Sequence, residues 1–127
     1  MNFVIASVFG LAISTAALAQ SKLSCTAFVY GEMPFVTIEM IVQNDGHIER
    51  LANLIHQGVS RQTAVEENST TPDQLYNLTV EADHPGQELF LEINKPKDGD
   101  TTGILSGQLI NPESPAYKTM RASCERQ

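Results

Sequence analysis

LYNLTVEADHPGQELFLEI, residues 75–93, carries the pattern that decides the fold. Tyr76, Leu78, Val80 and Ala82 alternate with Leu75, Asn77, Thr79 and Glu81; further on, Leu89, Leu91 and Ile93 alternate with Glu88, Phe90 and Glu92. A period of two is the mark of a half-buried strand, because successive side chains point to opposite faces. Between the two runs lies Asp83-His84-Pro85-Gly86, in which proline restricts φ and glycine supplies a positive φ, so the segment reads as two strands joined by a turn.

The same alternation recurs upstream, where Val36, Ile38, Met40 and Val42 interleave with Phe35, Thr37, Glu39 and Gln43. Residues 23–30, 102–110 and 116–124 have the same character, and Lys95-Pro96-Lys97-Asp98-Gly99-Asp100 and Asn111-Pro112-Glu113-Ser114-Pro115 punctuate them. About six to eight short strands at near-regular spacing predict an all-β, antiparallel sandwich or small barrel. Residues 46–57 fit two descriptions. Ile48, Leu51, Ala52, Ile55 and Val59 share one helical face, with Asp45 placed to cap its start and Gly58 its end, which predicts a short helix. Asp45-Gly46 directly after a strong strand is equally a hairpin signal, which would make the segment a bulged strand.

Residues 1–19 contain no charged side chain, run through Phe3, Val4, Ile5, Val8, Phe9, Leu11 and Ile13, and end in Ala17-Leu18-Ala19. This is the apolar core and small-x-small ending of a secretory signal peptide, with cleavage before Gln20. An uncleaved anchor is the competing description, since about 17 apolar residues reach the lower limit for crossing a bilayer, but Ala, Ser, Thr and Gly outnumber Leu. Lipidation at Cys25 is opposed by Lys22, a charge where an apolar residue is wanted. Residues 20–127 are then a single exported β-rich domain, periplasmic or secreted.

Fifteen Asp plus Glu stand against eight Lys plus Arg, for a net charge of −7, and 42% of residues are hydrophobic. A surface of that sign repels phosphate backbones and anionic headgroups, which disfavours nucleic acid and membrane surfaces as partners. Only two cysteines are present, Cys25 and Cys124, one near each end. In an oxidising compartment they are expected to pair. Cys25 shares a face with Leu23, Ala27 and Val29, and Cys124 with Met120 and Ala122, so both sulfurs should point inward and the terminal strands should be neighbours.

Candidates for chemistry are weak. His47 and His56 are nine residues apart, on opposite faces of any helix, and His84 falls in the Pro-Gly turn. Gly103-Ile104-Leu105-Ser106-Gly107 misses the G-x-S-x-G nucleophile spacing by one residue, and Gly107 reads better as a strand glycine at a bend or close approach. Asp98 and Asp100, followed by Gly103 and Leu105, match the start of a calcium loop, yet Leu109 stands where the closing Glu belongs, so a turn is the better assignment and a metal site the lesser one. The sequons at Asn68 and Asn77 carry glycans only in a eukaryotic secretory pathway, whereas the Ala-Leu-Ala-Gln ending reads as bacterial. No catalytic residue and no cofactor is expected. The chain reads as a non-catalytic binding module for a protein partner, with two alternatives: a carrier of a small apolar ligand in a barrel interior, or a small hydrolase or lyase with an acid-based site.

If residues 1–19 are removed on export, the intact mass of protein purified from its host should correspond to a chain starting at Gln20, without acyl groups. A mass retaining residues 1–19, or lipid on Cys25, would refute the assignment.

Overall fold

In the computed structural model, the described residues are 20–29, 32–81, 87–107 and 119–127. The expected signal peptide, His84, the Pro85-Gly86 turn and residues 111–115 lie outside them. The described residues form β1 (Ser21–Val29), β2 (Met33–Val42), β3 (Leu51–His56), β4 (Val59–Glu67), β5 (Gln74–Glu81), β6 (Glu88–Asn94), β7 (Thr101–Gly107) and β8 (Thr119–Arg126). Each strand pairs antiparallel with the next, and β8 pairs with β1 to close a barrel.

Alternation predicts which residues fill the barrel, and the burial follows it. Leu23, Cys25, Ala27 and Val29 from β1, Val36, Ile38, Met40 and Val42 from β2, Tyr76, Leu78 and Val80 from β5, and Leu89, Leu91 and Ile93 from β6 are all buried. Eight strands enclose an interior just wide enough for side chains to fill, so the core is the lumen itself. Each Leu or Ile so buried contributes about 1.5 to 3 kcal/mol.

Residues 46–57 contain no helix. Asn44, Asp45 and Gly46 form a three-residue hairpin loop, with the Gly46 amide on the Gln43 carbonyl (2.9 Å), the Gln43 amide on the His47 carbonyl (2.8 Å) and Gly46 at φ 91°. The Asp45 carboxylate, expected as a helix cap, instead accepts the His47 amide at 3.0 Å within that loop. From there the chain runs on as β3. Ala52, Leu54 and His56 point inward, whereas Leu51, which the helical pattern counted as apolar-face, is exposed. Periodicity failed because Leu51 and Ile55 are apolar residues on the outer face of a strand. Gly58 ends no helix; Gln57 (φ 53°) and Gly58 (φ 77°) make the two-residue turn that pairs His56 with Val59, and a left-handed conformation at both positions matches the twist of the flanking strands. β4, which that turn launches, has only Thr63 and Val65 buried, too little apolar alternation to be visible in the sequence.

The segment after β2 also covers one end of the barrel. Ile48 is buried, its amide donates to Glu67 Oε2 (3.0 Å), the Val65 amide donates to the Arg50 carbonyl (2.8 Å), and the Tyr76 hydroxyl donates to the Gly46 carbonyl (2.6 Å). At the same end the termini are zipped together, Lys22 and Gln127 exchanging backbone hydrogen bonds of 3.1 and 2.7 Å.

Cys25 and Cys124 are directly opposed across β1 and β8 and form a disulfide, both within the core at 2% and 6% exposure. The bond spans 99 residues of sequence. Constraining a loop of that length disfavours the unfolded chain by about 4 to 5 kcal/mol in the chain-entropy model. On β7, a Cβ added to Gly103 would lie 2.5 Å from the Glu92 carbonyl oxygen, so only glycine allows β6 to approach this closely. Gly107, at φ 114°, meets the Glu88 carbonyl in the same way, as expected for a strand glycine at a close approach.

Cys124→Ser should lower the melting temperature by at least about 8 °C, since losing such a bond costs about 2 to 5 kcal/mol and each kcal/mol moves a domain of this size by about 4 to 8 °C. An unchanged calorimetric transition would contradict the role given to the closing seam. Gly103→Ala should cost about 1 to 3 kcal/mol by urea unfolding; a midpoint equal to that of the parent would show that β6 and β7 are not held as close as described.

Candidate functional site

Asp98 and Asp100 do not converge on an ion-binding position. They flank Gly99 in a second two-residue turn, with Asp98 at φ 57° and Gly99 at φ 86°, closed by paired hydrogen bonds of 3.0 and 3.1 Å between Lys97 and Asp100. Both aspartates are exposed. Among the described residues, no group of three or more His, Cys, Asp or Glu is placed to hold a metal ion. The described histidines sit at opposite ends of the barrel. His47, in the loop after β2, has Nδ1 3.1 Å from Glu67 Oε2. His56, at the far end of β3, is 6% exposed, with its ring 4.9 Å from that of Phe35 at 68°. Asn68 donates to Thr79 Oγ1 (2.8 Å) and Asn77 to the Ser69 carbonyl (3.1 Å), so both sequon side chains brace the connection between β4 and β5. Ser106 faces outward, paired with Phe90 on one side and Thr119 on the other.

The barrel interior is occupied. Ile38, Met40, Leu54, Leu78, Leu89, Leu91, Ile93 and Leu105 are its largest fully buried side chains, and they come from five of the strands. The surface able to meet another molecule is therefore the outer wall.

That wall carries a groove of about 850 Å³ across β7, β8 and β1. On its inner side Ala27, Ala122 and Gly103 are paired in a single row of small residues across the three strands. Outside, the neighbouring residues form two rows. Phe28, Arg121 and Ile104 are paired in one; Thr26, Ser123 and Thr102 in the other. Phe90 on β6 lies diagonal to Ile104, and both are 42% exposed. Large apolar side chains flank a guanidinium, with hydroxyls at the margin. The ion pairs among the described residues are Lys22–Glu39 and His47–Glu67, each at 3.1 Å, and Arg121 belongs to neither.

In the ring of eight strands, β4 and β5 stand opposite β8 and β1. Their outer face is acidic. A smaller cleft of about 570 Å³ is lined by Glu66, Glu67, Glu81 and Glu88 together with Arg50, and Glu81 is directly paired with Glu88. Like charges so placed repel, which leaves the two walls of the barrel with different electrostatic characters.

None of the groove residues stands out as a motif. Their signal is one of phase: Phe28, Phe90 and Ile104 are apolar residues in the solvent-facing half of alternations whose other half is buried. A single out-of-phase apolar residue is ordinary surface; the pairing of β1, β8 and β7 sets Phe28 and Ile104 on either side of Arg121, with Phe90 on β6 diagonal to Ile104. The chain matches no protein-family model, and no curated protein and no solved structure is significantly similar to it.

Proposed function

We propose that the protein is an exported, non-catalytic binding module that acts on a protein partner in the periplasm or outside the cell. The observation that carries this reading is the combination of a barrel filled by its own side chains with an outer groove in which Phe28 and Ile104 flank Arg121 across neighbouring strands. Phe and Arg are enriched at the cores of protein interfaces, where an aromatic ring buries a large apolar area and a guanidinium supplies a fork of hydrogen-bond donors. The buried disulfide between Cys25 and Cys124 is the bond of an oxidising environment, which supports export.

The alternatives find less support. An apolar-ligand carrier needs interior volume, which here is taken up by Met40, Leu54, Leu78, Leu91 and their neighbours. A hydrolase working through acids would draw on Glu81 and Glu88, but both are exposed on the outer wall, whereas an effective general acid is usually desolvated and aimed at an enclosed substrate.

Crosslinking in the host, followed by purification of the mature protein, should recover a stoichiometric protein partner. Ile104→Asp, at an exposed position that leaves the fold intact, should weaken that association by about 2 kcal/mol, roughly 30-fold. Purified protein that is free of partners but carries extractable lipid, or that turns over an ester, glycan or peptide, would refute the proposal.

A further inference from the structure

We propose that the groove takes an extended segment of the partner in which a carboxylate, set against Arg121, is flanked by apolar side chains resting on Phe28 and Ile104. This rests on the binding-module reading above and adds the chemistry of what is bound.

Among the described residues, Arg121 is the cation that lines the groove, and it belongs to neither of the ion pairs Lys22–Glu39 and His47–Glu67. A guanidinium between two apolar side chains presents a planar, bidentate donor in surroundings less polar than water, where a carboxylate gains more from the pairing than it would at an open surface. Of the acidic cluster, Glu66, Glu67 and Glu81 lie on β4 and β5, the opposite wall, and Glu88 on β6. Salt screens charges beyond about 8 Å, so that cluster does little to repel an acid arriving at Arg121.

The shape of the groove favours a protein segment over a small molecule. Thr102, Ile104, Thr119, Arg121 and Ser123 are all exposed, so the site is an open trough, whereas small-ligand sites bury about 70 to 90% of the ligand. The groove also has direction. Asp100 lines its other end, and at about 3.3 Å per residue it lies roughly 13 Å along β7 from Ile104, the length of about four extended residues. A segment with an acid at one position and a base about four residues away would meet both charges.

The probe is a synthetic peptide, acetyl-Leu-Thr-Asp-Thr-Val-Thr-Lys-Gly-amide, in which Leu, Asp, Val and Lys share one face when the chain is extended, titrated into the disulfide-bonded mature protein and followed by amide NMR shifts. Shifts should centre on Phe28, Thr102, Ile104, Arg121 and Ser123. Arg121→Gln should weaken binding at least about tenfold, and Arg121→Glu should weaken it further while restoring affinity for the peptide in which Asp is replaced by Lys; a merely structural role for Arg121 predicts no such exchange. Equal binding of a peptide with Asn in place of Asp, no binding of either, or shifts centred on β4 and β5 would overturn the proposal, as would Arg121-dependent self-association in sedimentation, which would make the occupant a second copy of the chain. Photo-crosslinkers at Thr102 and, on the far wall, at Gln62 separate the two levels of inference in the host. Adducts from Thr102 that Arg121→Glu abolishes support both; adducts from Gln62 alone overturn this proposal and leave the binding module standing; adducts from neither position overturn both.

Discussion

Closure of β8 onto β1 is the constraint on which the structure depends. An open eight-stranded meander would leave two unpaired edges, each a template for association, and would expose one side of its apolar face. Closure removes both liabilities, and it is secured where the chain is least able to secure it locally. The strands that must meet are the first and the last, so their pairing forgoes more chain entropy than any hairpin. The Cys25–Cys124 bond acts on that step, because it joins opposed residues of those strands, and the Lys22–Gln127 backbone pair extends the ladder to the chain ends.

The remaining contacts are local by comparison. Turns at Gln57-Gly58 and Asp98-Gly99 adopt the left-handed geometry that twisted hairpins require, and each forces the following strand to return beside the one before it. One end of the barrel is covered by Ile48, held through Glu67 and Tyr76, so the loop after β2 serves the core as well as linking two strands.

The closing seam shapes the outer surface too. Ala27, Ala122 and Gly103 form a row of small residues on its inner side, and the groove lies on its outer side. The adjacent row presents Phe28, Arg121 and Ile104 there. Acidic residues gathered on β4, β5 and β6 keep the opposite wall solvated.

The sequence by itself determined the fold class, the inward set on β1, β2, β5, β6 and β8, and the disulfide, because each follows from a period of two or from the presence of just two cysteines. It did not decide between sandwich and barrel, since both place the same residues inward and both allow the first and last strands to lie side by side. Nor did it decide residues 46–57, where Leu51 and Ile55 lie on the outside of a strand yet complete a helical stripe, or reveal β4, whose two buried positions are Thr63 and Val65. The groove belonged wholly to the tertiary structure. Phe28, Phe90, Ile104 and Arg121 come from four strands, and cross-strand neighbours are set by register and closure, quantities that no local periodicity encodes.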